Sequence, residues 1–554
     1  MGKRWGLWLL VMIIGWGIAV RSINLGSHAY WVDEVHTAVR VAGYTKEDIT
    51  TAQFDNQVHT VAAYNRYQQL TEDRNLGDVL GALAQHPEHP PLYYLLVRWW
   101  LQGLQHLGFS QSVAAMRSLS VLFGILLIPA IAALGWELYR SDPQQPMVTT
   151  DIAVALVALS PLHILYAQES REYSLWSLVT VLSCWGLLRA IRCRTLTSWA
   201  CYSVLLMVGW YSHLLFATVA IAQSLYVLGL ARSSRCHKPD DPVDVPQMGT
   251  VLRAMAMAIA LSVLPFLPWV GVLLRYFSQI QTVVDATQQQ PSLGYLIDVW
   301  GRNLSRVLVN QDLAGANLLL LGIGLWSIFS LWRSRPWRVS GLMVVLIGTN
   351  ALPLMIHDIL TGSIGSTRIR YLIPAYLGLQ WAIAYFLATL IQWKSSPLRQ
   401  SSQPLKSTWI RLAGQVLLVG LLMGGAIAGT SNLTQITNWA KSDKSAYYPA
   451  MAAAINQSPN PLVITDTSAT YALVLTAQLR PDINLLLVSQ PRALELPNLI
   501  NSKPISDVFL FDPSAPLQRH LSRRFTAEWE AVVQQNERFQ LLRLSLPYQE
   551  VGEN

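Results

Sequence analysis

The chain has 554 residues, of which 52% are hydrophobic and only 13% charged, and its mean hydropathy is +0.32. These values are typical of a protein that crosses a membrane several times, and they exclude an ordinary soluble enzyme. The formal net charge of +8 does not indicate a nucleic-acid partner, because the lysines and arginines lie in short clusters between apolar runs.

Apolar runs long enough to cross the hydrocarbon as helices recur along the first 430 residues. The first run follows Lys3 and Arg4 and lacks a small-residue cleavage site, so we interpret it as an uncleaved signal anchor. The sequence predicts an α-helical polytopic membrane protein with about eleven transmembrane helices. The predicted spans are 5–22, 113–138, 151–167, 173–191, 196–211, 213–231, 251–272, 314–332, 339–356, 371–392 and 411–430.

The apolar stretch Leu92–Leu107 is short and contains Arg98 and His106, which favours a helix lying in the membrane interface. If it does not span, all the later basic loops face the cytoplasm, as the positive-inside rule requires. Those loops are Arg189/Arg192/Arg194, Arg232/Arg235/Lys238, Arg333/Arg335/Arg338 and Lys394/Arg399/Lys406. We therefore predict an inner-membrane protein with a cytoplasmic N-terminus and an extracytoplasmic C-terminus.

This topology leaves the unusual polar residues of the chain on one side of the membrane. The predicted outer segments are 22–111, 168–172, 211–213, 276–314, 357–370 and everything beyond Thr430. We expect their acidic, histidine and arginine side chains to meet in one cleft at the outer lipid boundary, which would be the active site.

The tail after Thr430 has the pattern of a small α/β unit. Short apolar runs at 461–466, 483–489 and 507–511 predict strands, and 445–456 and 469–480 predict helices between them. A parallel layered sheet fits this alternation. We therefore divide the chain into a transmembrane domain, 1–430, with an outer loop at 23–112, and an extracytoplasmic α/β domain, 431–554.

An acidic pair, Asp33 and Glu34, follows the first span by about ten residues. A carboxylate just outside the bilayer can act as a general base if it reaches an acceptor hydroxyl. The alternative is a solvated acidic loop.

The next motif, His86-Pro-Glu-His-Pro-Pro, is stiffened by its prolines, which would hold His89 rigidly. The alternative is that these prolines merely start the interfacial helix. Asp33, Glu34 and His89 are also possible ligands of a divalent metal, although no tight ligand spacing demands one.

Two outer segments carry arginine where loop cations are disfavoured. Gln168-Glu-Ser-Arg-Glu172 places Arg171 between two spans, and Thr367-Arg-Ile-Arg-Tyr371 places Arg368 and Arg370 before another. Arginine's planar fork matches a phosphate group, so a lipid phosphate is the predicted partner. The alternatives are pairing of Arg171 with its glutamates and headgroup contacts for the others. Tyr211 and His213 share a further outer turn. They are interpreted either as residues that line the same cavity or as an interfacial pair whose polar groups satisfy each other.

These motifs resemble the GT-C superfamily of membrane glycosyltransferases, and particularly the family 39-like branch of protein O-mannosyltransferases and aminoarabinose transferases. The resemblance rests on the acidic pair, on HPPLYY at 89–94, on AQESREYSL at 167–175 and on RYLIPAY at 370–376, in that order. It covers residues 1 to about 392. The soluble tail is similar to extensions of some bacterial members.

The resemblance implies transfer of a sugar from a polyprenyl-phosphate donor to a lipid, protein or polysaccharide acceptor outside the cytoplasm, with inversion at the anomeric carbon. It assigns Asp33 as the general base, with Glu34 supporting it or helping to bind a metal. It places His86 and His89 on the acceptor side. It places Arg171, Tyr173, Arg370 and Tyr371 near the donor phosphate, and Arg368 is added to them because of its charge and position. Glu169-Ser170 departs from the small residues that relatives often have there, which puts the role of Arg171 in doubt.

Two other functions remain open at this point. A transporter or flippase of lipid-linked sugars is one, although no inverted repeat is visible. An oligosaccharide polymerase or ligase with a diphosphate-linked lipid donor is the other, and it shares most of the expected chemistry.

Overall fold

The computed structural model describes residues 2–140, 146–235, 248–278, 281, 288–392, 404–437, 445–491, 505–524, 529–536 and 539–545. The chain forms two compact units. Unit 1 comprises Met1–Leu25, Gln85–Tyr93 and Ala114–Thr434, and unit 2 comprises Gly26–Ala84, Tyr94–Val113 and Gln435–Asn554. Lys238, Lys394 and Arg399, which helped to predict the topology, lie outside the described residues.

Helices, most of them long and apolar, make up most of the described part of unit 1. They are α1 (Gly2–Ser22), α7 (Val113–Tyr139), α8 (Pro146–Ala158), α9 (Pro161–Ala167), α10 (Tyr173–Cys193), α11 (Leu196–Ser212), α12 (Phe216–Arg235), α13 (Met248–Val263), α14 (Leu267–Arg275), α15 (Leu293–Leu308), α16 (Ala316–Ser334), α17 (Trp337–Thr361), α18 (Ile373–Ile391) and α19 (Pro404–Thr434). Each predicted span coincides with one of these helices or with a broken pair.

Eight stretches of the described chain are long and apolar enough to cross a membrane, and a bent pair brings the number to nine. Two predicted spans are helices of shorter apolar length, at Gly6–Ser22 and at α11. The α6 helix (Leu92–His106) is not among the spans, as expected for the stretch that was assigned to the interface. The fold class predicted from the sequence, a polytopic helical membrane protein with a small C-terminal sheet, is confirmed.

The spans differ in how far they are covered by protein. In the span that contains α18, 83% of the most apolar 18-residue stretch is buried. In the spans that contain α13 and α16, only 22% of the corresponding stretch is buried. α18 therefore lies among the other helices of unit 1, whereas α13 and α16 present most of their side chains outward, as lipid-facing helices do. The segment 367–371, with its two arginines, leads directly into this central helix.

A break divides the bent pair. Pro161 follows Ser160 in the apolar run and has no N–H to donate, so α8 and α9 meet at an angle of 51°. Arg21, on the last turn of α1, donates its guanidinium N–H groups to the carbonyls of Val157 and Ala158 at 2.9 and 2.6 Å. These carbonyls lie where the helix is interrupted, and a fully buried cation satisfies them.

Unit 2 combines a six-stranded sheet with short helices. The strands are β1 (Val58–Thr60), β2 (Pro461–Thr465), β3 (Asn484–Leu487), β4 (Asp507–Phe511), β5 (Glu530–Asn536) and β6 (Phe539–Ser545), in the spatial order β1-β3-β2-β4-β6-β5. The helices are α2 (Val32–Ala42), α3 (Lys46–Gln53), α4 (Val61–Asn65), α5 (Leu76–Ala84), α6, α20 (Tyr448–Gln457), α21 (Ala469–Thr476) and α22 (Ala515–Arg524).

The centre of this sheet is parallel. β2 pairs in parallel with β3 and β4, and fully buried residues such as Leu462, Leu486 and Leu510 form its core. This confirms the parallel sheet predicted for the tail, with strands and helices close to the predicted positions. β1 comes from the outer loop after the first span and pairs antiparallel with β3.

Candidate active site

The turn between α9 and α10 is a deeply buried polar segment of unit 1. Gln168, Glu169, Ser170, Arg171 and Glu172 are each exposed by 2% or less. The side chain of Gln168 donates to the carbonyls of Val20 and Ile23 at the end of α1, and Asn432 donates to Gln168 in turn. The turn is therefore fixed by hydrogen bonds and cannot be a solvated loop.

Arg171 and Glu172 form a buried ion pair, with Nη2 of Arg171 3.1 Å from Oε1 of Glu172. The same carboxylate oxygen lies 3.3 Å from Nδ1 of His89, which belongs to the proline-rich segment before α6. The pairing of Arg171 with a neighbouring glutamate, one of the alternatives raised from the sequence, is thus present. The pair is joined by His89, which lies 83 positions before Glu172 in the chain.

The acidic groups of this cluster are held in their ionised form. Burial alone would raise the pKa of Glu172, but the charge of Arg171 and the hydrogen bond and charge of His89 lower it well below its usual range. Burial likewise opposes ionisation of Glu88, yet the hydrogen bond from His86 and the charge of His89 lower its pKa to about 2. The cluster therefore contains two carboxylates that keep their charge at physiological pH.

His213 lies beside these charges, immediately after α11. Its imidazole stacks on the indole of Trp176 with ring centroids 3.9 Å apart and planes 3° from parallel. Burial lowers the pKa of His213 to about 3, and although the charge of Glu172 opposes this, those of His89, Arg171 and Arg370 add to it. The ring is therefore neutral, and the two arginines on separate segments of unit 1 both lie close enough to act on it.

The second arginine segment is held by its backbone. Asp358, at the end of α17, accepts hydrogen bonds from the amides of Gly365 and Ser366 at 2.9 and 2.6 Å. Asn350 donates to the carbonyl of Tyr371 at 3.2 Å and accepts from the amide of Ala375. These contacts fix the backbone on both sides of the arginines.

The two arginines of this segment differ in exposure. Arg370 is half-buried, with its guanidinium 5.5 Å from the ring centroid of Tyr371. Arg368 is exposed. The structure thus brings Arg370 to the cluster around His213 and leaves Arg368 at the surface, which the sequence did not distinguish.

Asp33 and Glu34 belong to unit 2, in the first turn of α2. A helix N-terminus stabilises carboxylates through its unpaired N–H groups and its dipole. Glu34 is fully buried, whereas Asp33 is partly exposed. Of the two, Asp33 has the accessibility that a proton acceptor for an incoming substrate requires.

The other predicted residues have diverse contacts. His86 is exposed and lies 3.5 Å from Glu88, and Tyr173 is buried at the start of α10 with its ring 4.7 Å from that of Tyr166. The hydroxyl of Tyr211 donates a hydrogen bond to the carbonyl of Pro265, which stabilises the junction between α13 and α14.

Several members of the cluster were missed by the sequence reasoning. They are Glu88, Trp176 and Tyr166, together with Asp358, which anchors the backbone before Arg368 and Arg370, and Arg21, which binds the carbonyls at the break between α8 and α9. The charged residues among them could have been identified from the sequence, because they stand at the ends of apolar runs. The contacts of Trp176 and Tyr166 leave no such signal in the sequence.

No metal centre is formed by the residues that the structure describes, since no three of their histidine, cysteine, aspartate or glutamate side chains group closely enough to hold an ion. The divalent metal raised as possible from the sequence stays a hypothesis.

Sequence comparison identifies no relative of this chain. No protein-family model matches it, and no curated protein matches it.

Structural comparison shows the fold. ArnT from Cupriavidus metallidurans bound to undecaprenyl phosphate superposes with a TM-score of 0.50 at 13% identity, over 97% of this chain and 98% of ArnT. The Archaeoglobus fulgidus oligosaccharyltransferase tethered to an acceptor peptide gives 0.44 at 12% identity, over 92% and 69%. The mycobacterial arabinofuranosyltransferase AftD gives 0.45 at 12% identity, over 98% and 42%. The likeness to ArnT shows that the chain has the GT-C fold.

Proposed function

From this fold, we propose that the chain is an inverting membrane glycosyltransferase that takes a sugar from a polyprenyl-phosphate donor and transfers it to an acceptor on the extracytoplasmic face. The acceptor is a lipid, a protein or a polysaccharide. Undecaprenyl phosphate bound to ArnT supports a donor of this class.

The observation that carries the proposal is the buried Arg171–Glu172–His89 cluster, with Arg370 nearby. Glu172 compensates the buried charge of Arg171, but a buried ion pair adds little net stability, so its presence on a turn between two spans favours a function. A guanidinium offers two parallel N–H donors, which fit two phosphate oxygens. A lipid phosphate reaches such a turn from the membrane side, and Arg171 and Arg370 together balance the charge that develops on it as it leaves.

The reaction follows from these assignments. The acceptor hydroxyl attacks the anomeric carbon of the sugar while Asp33 takes its proton. The bond from that carbon to the phosphate oxygen breaks, and the polyprenyl phosphate leaves with the electron pair. Because the arginines stabilise this anion, the leaving group needs no proton from an acid. One displacement on the anomeric carbon inverts its configuration, whereas hydrolases of glycosides typically use two opposed carboxylates.

The experiment that tests the function is a transfer assay on the purified full-length chain with a panel of polyprenyl-phosphate and polyprenyl-diphosphate sugars. We expect release of polyprenyl phosphate from at least one monophosphate donor. Consumption of only the diphosphate donors would identify a polymerase or ligase. Movement of an intact lipid-linked sugar across a vesicle bilayer, with no donor consumed, would identify a transporter and overturn the proposal.

The base is tested by Asp33→Asn. We expect kcat to fall by about 10²–10⁴-fold while the donor binds almost as before, because the carboxylate acts on the acceptor hydroxyl. Glu47→Gln, an exposed acid on α3, is the matched control and should keep full activity. Wild-type turnover in Asp33→Asn would remove this residue from the mechanism without affecting the assignment of the arginines.

A further inference from the structure

His213 is held in one orientation by two independent contacts. One is its stack on Trp176, with planes 3° from parallel. The other is a hydrogen bond from the backbone amide of Leu215 to its Nδ1, at 3.1 Å. A ring that is fixed both by its face and by one nitrogen has a defined direction for the other nitrogen.

The second contact also fixes the tautomer. Nδ1 accepts the hydrogen bond from the amide of Leu215, so it carries no proton itself. The single proton of the neutral imidazole therefore lies on Nε2. Burial keeps the ring neutral, because it lowers the pKa of His213 to about 3. His213 therefore presents one N–H donor, at Nε2, over the whole physiological range of pH.

That donor has no hydrogen-bond partner among the residues that the structure describes, although the histidine is 91% buried, being only 9% exposed. The nitrogen itself is not fully buried, so a ligand can reach it and take up its N–H. The charged groups around it are Glu172, His89, Arg171 and Arg370. Two of these four are the guanidiniums assigned above to the donor phosphate.

We infer that His213 donates a hydrogen bond from Nε2 to a phosphate oxygen of the lipid-linked donor, as a third phosphate-binding residue beside Arg171 and Arg370. This inference rests on the proposed function. A neutral donor suits this place better than another cation, because it binds the anion without repelling the two arginines. A neutral imidazole that serves as a hydrogen-bond donor to a substrate oxygen, there a carbonyl, is a known catalytic arrangement in an unrelated enzyme.

The neighbouring residue shows what a purely structural role looks like. Tyr211 has its hydroxyl taken up by the carbonyl of Pro265, and its ring packs edge-on against Phe266 at 5.0 Å. Its polar atom is satisfied within the protein. His213, two positions later, has one nitrogen satisfied by the backbone and the other left for a ligand.

The test is equilibrium binding of undecaprenyl phosphate and of undecaprenol to the full-length chain in detergent, measured by native mass spectrometry. His213→Phe keeps a ring for the stack on Trp176 and removes the donor. We expect it to weaken undecaprenyl phosphate by about 10-fold or more, the loss of one hydrogen bond to a charged group. Undecaprenol, which lacks the phosphate, should bind as it does to the wild type.

His213→Gln retains an N–H donor, so it should bind undecaprenyl phosphate within about 3-fold of the wild type, well inside the loss expected for a missing bond. His106→Phe, at an exposed histidine on α6, is the matched control. If the phenylalanine variant does not fold, His213→Met against His213→Gln gives the same contrast between absence and presence of a donor.

Two results would overturn the inference alone. One is wild-type affinity for undecaprenyl phosphate in the variants without a donor, and the other is an equal loss of affinity for both lipids, which would indicate packing. Failure of the wild type itself to bind undecaprenyl phosphate would instead overturn the proposed function, and this inference with it.

Discussion

Two buried arginines of unit 1, Arg21 and Arg171, are partnered in different ways. Arg21 is fully buried and donates to three backbone carbonyls, those of Gly17, Val157 and Ala158, at 2.6–2.9 Å. Arg171 is 2% exposed and pairs with the side-chain carboxylate of Glu172. Both cations lie beside apolar helices, and both are charged at any physiological pH.

The difference separates a cation that is bound to the backbone from one whose partner can be exchanged, and the proposed binding role of Arg171 requires the second kind. Backbone carbonyls at a helix break cannot move away without unfolding the helix, so Arg21 is committed to them. A carboxylate can yield its place to a second anion, particularly where a histidine shares the same oxygen and keeps the glutamate satisfied. The partner of a buried arginine therefore indicates its role more directly than its burial does.

The sharpest way to break this comparison is Arg171→Met. We expect kcat/KM for sugar transfer to fall by about 10²–10³-fold, the loss typical for one group that stabilises a developing oxyanion. Arg253→Met, at an exposed position on α13, serves as the control.

The single variant also leaves the buried charge of Glu172 with His89 as its remaining partner, which costs up to about 3–5 kcal/mol of stability. The double variant Arg171→Met/Glu172→Gln removes that charge. It should recover thermal stability and remain inactive. Recovery of activity together with stability would show that Arg171 is as structural as Arg21.

Arg21→Met tests the other half of the comparison. We expect a loss of about 2–4 kcal/mol, seen as a lower midpoint of thermal unfolding in detergent, because carbonyls at the helix break lose a charged donor. In a Pro161→Ala background the new N–H can donate to the carbonyl of Val157, so the same substitution should cost less there. An equal cost in both backgrounds would contradict the account of the break.

The smallest effect concerns pH. In the folded chain the lowered pKa of His213 keeps its imidazole neutral. In the unfolded chain the same imidazole takes up a proton as the pH falls below its ordinary pKa of 6.5. Stability is therefore lost as the pH falls from 6.5, by about 2 kcal/mol at pH 5. Glu172 does not contribute in this window, because its lowered pKa removes stability only as the pH falls below about 4.5.

Thermal unfolding of the wild type and of His213→Gln at pH 7 and pH 5 measures this effect. The variant should lose less of its stability than the wild type on acidification. Identical losses would mean that His213 is protonated in the folded state and would contradict its role as a neutral donor.

The sequence predicted the helices of unit 1 because a span needs a long apolar run, which local composition reveals. It predicted the parallel strands of the tail for a similar reason, since β2, β3 and β4 are buried on both faces and are apolar at nearly every position. β1 was not predictable in this way. Its three residues, Val58–Thr60, become a strand only because β3 offers an edge to pair with.

For the site, sequence identified charged residues but not their partners. Arg171 and Arg370 were recognisable because loop cations on the outer side are unusual. Arg368 has the same sequence signal and is exposed, since the backbone path fixed by Asp358 and Asn350 decides which arginine faces inward. Contacts between residues far apart in the chain, such as His89 with Glu172, depend on packing and carry no local pattern.

The most direct test of the donor site is an experimental structure of the full-length chain with undecaprenyl phosphate. We predict that the phosphate oxygens lie within hydrogen-bond distance of the guanidiniums of Arg171 and Arg370 and of Nε2 of His213, with Arg21 still bound to the carbonyls of α8. A phosphate bound elsewhere, with the Arg171–Glu172 pair undisturbed, would contradict the account.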